Sequence, residues 1–496
     1  MPRVSNASKG VFIGFDACDP VLVQRWATEG KLPNFARLFA GGARAPIVHD
    51  PWYYVASLWP SFTTGRDPLS HGYVCWSEIE TGTYVDTDVP VGPHLGTPFW
   101  ETLSARGRRV AVIDVPHSWL PTEIDGVVVV DRCAHDVRGS ARSFPASVSG
   151  ELDDRVGPPV FTSGSRSVTG PCDRAYRAGA LRTVDEQMTL HRELEAARRV
   201  ATDGALSILE RNDSELVCAV FADPHCVGHQ FWHLHDGDHP RHDPVLRQQL
   251  GDPLFGSYHH ADQTLGAVFD LVDADDTTIF VMLSHGMGPA YDGSALLEPV
   301  LARAAAEWRD ERCPPVPEQV PVERASEPWF AVPGPQQLGG VRLNLAGREP
   351  AGLIAPGEEA EQAVATLDQC LRELVNVSTD ESAVASIEWT DGRVPRRPDD
   401  RFPDIVVRWR TDAPLLRVAS ARLGEISTPT GHWRSGDHRE RALLLVAGSG
   451  IVAGDRPPLR VSDITATVAA SLGCPLPDVD GRARPELLGD RLGAVR

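Results

Sequence analysis

The chain has 496 residues, 42% hydrophobic and 23% charged, an ordinary globular composition that can bury a large core. Its formal net charge of −20 excludes a general basic surface for nucleic acid or anionic membranes, but it leaves room for a small, anionic substrate. The nine cysteines are widely spaced, without a C-x-x-C pair. No run of about 18 apolar residues occurs, and no signal-like segment precedes the first predicted strand. We therefore expect a cytoplasmic protein with reduced thiols.

Buried strands are predicted where short, β-branched apolar runs are followed by polar residues. These runs are VFIGF (11–15), VAVID (110–114), LVCAVF (216–221), TIFVML (278–283) and, late in the chain, ALLLVAG (442–448). Helices are predicted at 20–30, 183–212 and 463–473, the last with Asp463 as N-cap and a glycine after its end. The alternation predicts a doubly wound α/β fold, with a mostly parallel sheet flanked by helices.

Two regions interrupt this alternation. Residues 135–180 are rich in Ser, Gly, Pro and Arg and are predicted to be loop-like. Residues 301–400 contain a proline-rich stretch and then a predicted helix from 358, which suggests an α+β insertion over the carboxyl edge of the sheet. The predicted organisation is an α/β core at 8–300 and 401–496, with insertions at 135–180 and 301–400.

One aspartate and several histidines lie next to the predicted strands, the first four after a strand and the last two just before ALLLVAG, at the edge where binding sites of open α/β sheets form. In chain order they are Asp16, His225, His229, His285, His432 and His438. If the sheet is as predicted, these separated segments converge at one edge.

The strongest local signal is the pair His225 and His229, because a spacing of four puts both imidazoles on one helix face, suitable for a metal ion. The competing interpretation is a solvated histidine-rich segment without metal. Asp16 taken alone could instead cap the next helix, and His285 could be a core histidine with satisfied hydrogen bonds.

Several segments resemble, in order, motifs of the alkaline phosphatase superfamily, nearest its nucleotide pyrophosphatase/phosphodiesterase branch. They are IGFDACDP (13–20), GKLPNFARLFAGGAR (30–44), LWPSFTTGRDPLSHG (58–72), LSHGMG (283–288), NLAGREPAGLIAPGEE (344–359), SGDHRERALLLVAGSGI (435–451) and VSDITATVAASLGCPLPDVDGR (461–482). The resemblance implies an alkaline phosphatase-like fold and a metal-dependent hydrolase.

The resemblance also implies a principal metal site at His225, His229 and His438. Typical members have an Asp where this chain has His225, so the site would offer three imidazoles, a set suited to one zinc ion, with manganese or iron as alternatives. His432 competes for the role of late ligand, but His438 directly precedes the predicted strand, as the family pattern requires.

A second metal site of the family falls on Asp16 and His285. Its remaining carboxylate is replaced by Ser284, which removes a charge and a strong oxygen ligand. One ion is therefore expected rather than two, with Asp16 and His285 as a partial second site or as acid/base groups.

The family nucleophile falls on Val55, counted back from Gly65, and valine has no nucleophilic atom. Ser57 is the candidate replacement, although the competing interpretation makes it the N-cap of the following helix. Attack by metal-bound hydroxide is the other route, because zinc lowers the pKa of water to about 7.

Two further groups of residues were considered for the substrate site. The aromatic residues Trp52, Tyr53, Tyr54 and Trp59 could wall a pocket or pack in the core. Four arginines could meet an anion or remain solvated: Arg132, Arg348, Arg434 and Arg439.

The sequence thus favours a metal-dependent hydrolase of phosphate or related esters, with a small-molecule substrate and no nucleic-acid or membrane partner. The substitutions at Val55, His225 and Ser284 leave two alternatives open. One is a non-phosphate metal-assisted hydrolase or lyase in a biosynthetic pathway; the other is a non-catalytic binding protein on a phosphatase scaffold.

Overall fold

The computed structural model describes residues 9–49, 55–133, 140–161, 182–211, 213–309, 324–334, 337–390, 402–428 and 434–489. The strands are β1 (Lys9–Phe15), β2 (Ala43–Ile47), β3 (Ser77–Ile79), β4 (Asp86–Asp88), β5 (Val110–Ile113), β6 (Gly126–Val130), β7 (Arg142–Phe144), β8 (Leu216–Phe221), β9 (Thr277–Leu283), β10 (Gly286–Pro289), β11 (Trp329–Val332), β12 (Leu338–Leu343), β13 (Val375–Asn376), β14 (Glu381–Ser382), β15 (Val384–Trp389), β16 (Ile405–Trp409), β17 (Arg417–Ser420), β18 (Gly424–Ser427), β19 (Gly436–Arg439), β20 (Ala442–Ala447) and β21 (Gly454–Asp455).

The α-helices are α1 (Pro20–Thr28), α2 (Pro33–Gly41), α3 (Leu58–Thr64), α4 (Pro68–His71), α5 (Phe99–Ala105), α6 (Ser147–Val156), α7 (Val184–Leu209), α8 (Asp223–His235), α9 (Pro244–Leu250), α10 (Pro253–Leu271), α11 (Ser294–Trp308), α12 (Glu358–Arg372) and α13 (Val461–Ser471). None of the described helices combines the length and apolar character needed to cross a membrane. The cysteines within the described residues are all free thiols.

A nine-stranded sheet forms the centre of the molecule, in the order β21-β2-β20-β9-β1-β8-β5-β6-β7. The five strands β9-β1-β8-β5-β6 pair in parallel, whereas β20 runs antiparallel to both β9 and β2, and β7 runs antiparallel to β6. The predicted doubly wound, mostly parallel sheet is therefore confirmed. Each of the five apolar runs singled out in the sequence forms a strand of this sheet.

Helices cover both faces of the sheet, which explains why its strands are apolar on both sides. In β1, Val11, Ile13 and Phe15 face a core formed with α1, α2, α7, α8 and α10. Phe12 faces the opposite core, formed with α3, α5 and α13. Alternate side chains of one strand thus stabilise two separate layers of helices.

The second structural unit lies between β10 and β19 and has a core of its own. Two four-stranded antiparallel sheets, β11-β12-β16-β15 and β14-β13-β17-β18, pack with α11 and α12. These sheets run on to Ser427, because β16, β17 and β18 pair with the earlier strands. The two small sheets therefore extend beyond residue 400, the predicted end of the insertion. The division of the chain into domains itself stays a prediction.

Two local features differ from the sequence-based expectations. Helix α13 begins at Val461, and its N-cap is Arg460 rather than Asp463. Asp463 lies in the first turn of the helix, where its carboxylate accepts the backbone N–H of Arg460 at 3.2 Å. Within the region expected to be loop-like, described residues 140–161 contain β7 and α6. Only Val148 and Leu152 of α6 are buried, so its apolar signal is too sparse to show in the sequence.

Candidate metal centre

Helix α8 carries the first two candidate ligands. It begins two residues after the carboxyl end of β8, with Pro224 in its first turn, so its first turns lie at the carboxyl edge of the sheet. The rings of His225 and His229 lie on one face with centroids 4.5 Å apart, and both side chains are buried. The spacing of four therefore produces the paired imidazoles that the sequence predicts.

The third candidate ligand, His438, comes from β19, which pairs with β10 in a short antiparallel ribbon. This ribbon joins the chain leaving β9 to the chain entering β20, so it is fixed at the same edge of the sheet. The His438 ring centroid lies 4.9 Å from that of His225 and 4.6 Å from that of His229. One ring nitrogen from each of the three lies within 4.8 Å of the other two.

Close contact between α8 and β19 depends on glycine. A β-carbon at Gly436 would lie 2.2 Å from the carbonyl oxygen of Gly228 and 3.0 Å from Cβ of Trp232. The missing side chain lets the backbone of β19 approach the helix. It thereby brings His438 to His229.

The hydrogen bonds of His229 define its tautomer. Its Nδ1 lies 2.7 Å from the carbonyl oxygen of Gly436, which can only accept, so Nδ1 carries the proton. Its Nε2 is then the unprotonated ring nitrogen, and it lies 3.2 Å from Nε2 of His438 and 3.1 Å from Nη1 of Arg434. A histidine oriented through Nδ1 in this way presents Nε2 to a metal ion.

Asp16 and Ser284 form a second cluster, at the ends of the adjacent strands β1 and β9. Asp16 Oδ1 accepts hydrogen bonds from Ser284 Oγ at 2.9 Å and from Trp59 Nε1 at 3.0 Å. Ser284 Oγ in turn accepts the backbone N–H of Ala17 at 3.0 Å. Serine in place of a carboxylate thus provides a donor for Asp16 instead of a like charge.

His285 links the two clusters. Its Nε2 is 3.6 Å from Asp16 Oδ1, and its ring centroid is 4.3 Å from that of His438 and 6.3 Å from that of His225. Asp16, His225, His229, His285 and His438 therefore lie in one continuous buried group, as the sequence predicts.

Ser57, the candidate nucleophile, is buried at the position immediately before α3. It occupies the N-cap position, but its side chain makes no capping hydrogen bond. Two residues later, Trp59 Nε1 donates a hydrogen bond to Asp16 Oδ1, and this bond links the segment containing Ser57 to the second cluster. Its catalytic role stays a prediction.

Trp59 lies in the core as well as against Asp16, since it packs edge-on against Phe62 with centroids 6.0 Å apart. The other members of the predicted aromatic cluster, Trp52, Tyr53 and Tyr54, lie outside the described residues, as does His432.

The four arginines considered from sequence have different partners. Arg132 bonds Asp153, Arg348 bonds Asp404, and Arg439 bonds main-chain carbonyl oxygens of its own ribbon. Arg434 contacts one of the imidazoles, that of His229.

Two residues of this region were not singled out from sequence. His49 follows β2, and its Nε2 lies 3.1 Å from the carbonyl oxygen of Ser284. Burial, and to a smaller extent the charge of His285, lower the pKa of His49 to about 3, so this imidazole is neutral. Burial and then Asp292 raise the pKa of Asp437 to about 7, against the opposing effect of Arg434. His49 was missed because the segment before it, ARAPI of β2, has no continuous apolar run. Asp437 could have been noted from sequence as the neighbour of His438.

The donor set fits a divalent metal ion. Three buried imidazoles with their nitrogens this close can occupy three positions of a tetrahedral site and leave the fourth open, the pattern of a catalytic zinc site.

The matching family model and the solved structures of phosphonoacetate hydrolase agree with this architecture. Residues 11–424 match the family model of type I phosphodiesterase / nucleotide pyrophosphatase. Phosphonoacetate hydrolase from Sinorhizobium meliloti 1021, solved with phosphonoformate and with phosphonoacetate, aligns over 92% of this chain and 94% of its own, with TM-scores of 0.52 and 0.50 at 12% and 13% identity. Murine ectonucleotide pyrophosphatase / phosphodiesterase 5 aligns over 95% and 96% of the two chains, with a TM-score of 0.47 at 13% identity. No curated protein shows significant sequence similarity.

Proposed function

The chain belongs to the type I phosphodiesterase / nucleotide pyrophosphatase family, a family of hydrolases, and from this we propose that it hydrolyses phosphate or related esters with one divalent ion held by His225, His229 and His438. The observation that carries the proposal is the set of three buried imidazoles whose nitrogens lie within 4.8 Å of one another. Phosphonoacetate hydrolase, which shares the fold, was solved with phosphonoformate and with phosphonoacetate, and this is consistent with a small anionic substrate.

Zinc is the ion we favour, with manganese or iron as alternatives, because neutral imidazoles suit first-row divalent metals. A second ion would have fewer and weaker ligands. Ser284 offers a hydroxyl where a carboxylate would be needed, and Asp16 Oδ1 already accepts two hydrogen bonds. One ion per chain is therefore expected.

The bound ion would supply Lewis acidity to the ester and lower the pKa of water. The chain's own groups supply orientation and proton transfer. Gly436 holds the tautomer of His229 through Nδ1, and the Asp16 carboxylate lies next to His285 Nε2, where it would stabilise a proton on that imidazole. Asp16 and His285 are thus our acid/base candidates.

The attacking group has two candidates. Ser57 is the side-chain candidate, supported by its burial and by its position two residues before Trp59, which binds Asp16. Attack by water is the alternative, and it needs no side-chain nucleophile. Replacing Ser57 by Ala separates them: a side-chain mechanism loses turnover almost completely, whereas attack by water retains most of it.

The proposal is tested by elemental analysis of the purified protein, before and after zinc or manganese supplementation. Turnover of p-nitrophenyl phosphate and bis-p-nitrophenyl phosphate is measured on the same samples. We expect one ion per chain and metal-dependent turnover, both lost in His225→Ala and His229→Ala but retained in His259→Ala, which alters an exposed histidine of α10. A protein that binds no metal after supplementation would contradict the proposal.

A second candidate reaction is a non-phosphate metal-assisted hydrolysis or lyase step. It is favoured by two features of the sequence: by the family resemblance, Val55 falls where the family has a nucleophile, and Ser284 falls where it has a carboxylate. Metal binding without turnover of either phosphate ester would support this candidate, whereas efficient turnover of either ester would count against it.

A further inference from the structure

A cavity of about 520 Å³, counting its open mouth, lies among α7, α8 and α10 at the carboxyl end of β8. Its wall is largely apolar and includes Phe161, Leu194 and Phe221. The volume falls within the range of small-molecule sites, which is roughly 300–1,000 Å³. None of the three imidazoles of the metal centre lines this cavity, so it is a separate feature of the molecule.

Asp223 gives the cavity wall a buried hydrogen-bond acceptor that has no partner. The residue lies in the first turn of α8, and its Oδ2 accepts a hydrogen bond from Ser257 Oγ and lies 3.4 Å from Arg198 Nη1. Its Oδ1 is also buried, yet no described residue donates to it. Buried polar atoms of native proteins nearly always have a hydrogen-bond partner, so a donor from outside the chain is expected here.

The charges around Asp223 determine what kind of donor fits. Arg198 pairs with both Asp223 and Glu195, each at 3.4 Å, so a cationic ligand would be repelled by Arg198 and an anionic one by the two carboxylates. His260, the other basic residue of the wall, is neutral, because burial and then Arg198 lower the pKa of its imidazole. Its Nε2 is already engaged, at 2.9 Å from Thr202 Oγ1. The cavity therefore favours an uncharged donor.

We propose that this cavity binds a small, uncharged and mostly apolar molecule that carries a hydroxyl group, such as an alcohol or a phenol. The apolar body would pack against the aromatic and aliphatic wall, and the hydroxyl would donate to Asp223 Oδ1. A hydroxyl also accepts, and Arg198 Nε is a buried donor for which no described residue provides an acceptor. This site needs no metal ion and is additional to the proposed hydrolytic function.

The experiment is a ligand-detected NMR titration of the full chain with p-cresol and with p-xylene, which has a methyl group in place of the hydroxyl. We expect one p-cresol per chain, bound about tenfold more tightly than p-xylene, because only p-cresol supplies the donor. Asp223→Asn keeps the shape but removes the charge of the acceptor. It should weaken p-cresol binding roughly tenfold and leave p-xylene binding unchanged.

A second variant tests the location of the site. Ala201 lines the cavity, so Ala201→Leu should fill part of it and abolish binding of both ligands. Ala105→Leu is the matched control, because it alters an exposed alanine at the end of α5 and should leave both affinities unchanged. Thermal unfolding of each variant shows whether it is folded, and Asp223→Asn decides the matter if Ala201→Leu is not.

Three results would overturn the proposal. The first is no binding of p-cresol at millimolar concentration, which is the behaviour of a cavity filled only by water. The second is equal affinity for p-cresol and p-xylene, which would show that no acceptor selects the hydroxyl. The third is p-cresol binding that persists in folded Ala201→Leu, which would place the ligand elsewhere on the protein.

Discussion

His229 is the residue on which the geometry of the centre depends most. Its two ring nitrogens make different contacts: Nδ1 donates a hydrogen bond to the Gly436 carbonyl oxygen, and Nε2 faces both His438 and Arg434. Loss of the Gly436 contact would free the ring to rotate. The hydrogen bond to the main chain is therefore as much a part of the site as the ligand nitrogen.

Replacing His438 by Ala should abolish tight zinc binding, because it removes one of three ligands. The loss should exceed the roughly 10- to 100-fold that removal of an outer hydrogen-bond partner costs. Equilibrium titration with zinc checks this, with His432→Ala as the comparison, which should retain tight binding. The reverse pattern would show that His432 is the late ligand and that the assignment of His438 is wrong.

His71 should make stability depend on pH in acid. Its Nε2 lies 2.9 Å from Ser61 Oγ and its Nδ1 accepts the backbone N–H of Tyr73, so the buried ring is neutral. Burial and then Arg66 lower the pKa of His71 to about 4. Because this folded-state pKa is lower than the unfolded value, its stabilising contribution is complete above about pH 6.5 and is lost as the pH falls to about 4, by roughly 3 kcal/mol at most.

Denaturant unfolding between pH 8 and pH 4 tests this contribution in wild type and in His71→Asn, which keeps an acceptor for the Tyr73 N–H. The variant should be less stable at pH 8, and its free energy of unfolding should fall less than that of wild type on acidification. Parallel curves for the two proteins would show that His71 does not titrate as described.

At the level of elements, the centre depends on the contact of α8 with the β10–β19 ribbon. Neither element carries the site alone: α8 provides two imidazoles, and the ribbon provides the third and the Gly436 carbonyl oxygen. The backbone contact at Gly228 and Gly436 determines how near they come.

Gly436→Ala should therefore destabilise the protein by about 1–3 kcal/mol and weaken zinc binding, because the added methyl group meets a carbonyl oxygen that cannot yield without moving α8. Gly237→Ala is the matched control, since a β-carbon there meets nothing within 4 Å. Thermal unfolding and zinc titration measure the two effects. A Gly436→Ala protein as stable and as tightly zinc-binding as wild type would disprove the role of this contact.

Elements with strong local patterns were predictable and those without were not. The strands β1, β5, β8, β9 and β20 have continuous apolar runs, because both of their faces are buried, so they were found from sequence. Strand β2 contains arginine and proline in ARAPI, and α6 buries only two side chains, so neither has a clear period. His49, at the end of β2, was missed for the same reason.

On the scale of the whole molecule, the site is assembled from segments far apart in sequence. Asp16 and Ser284 are 268 positions apart and hydrogen-bonded, and His229 and His438 are 209 apart with their Nε2 atoms 3.2 Å from each other. The rule that sites lie at the carboxyl ends of parallel strands, together with the family resemblance, brought these residues together from sequence. The partners of Arg434 and Trp59 could not be predicted in this way, because they depend on side-chain packing across elements rather than on any local pattern.

The most direct test of the metal centre is the anomalous diffraction of crystals of the zinc-loaded protein, measured at the zinc absorption edge. The account predicts one strong peak per chain at the carboxyl edge of the sheet, with a ring nitrogen of each of His225, His229 and His438 about 2.1 Å from the ion. Absence of a peak among these three imidazoles, or an ion bound elsewhere with the three rings uncoordinated, would contradict it.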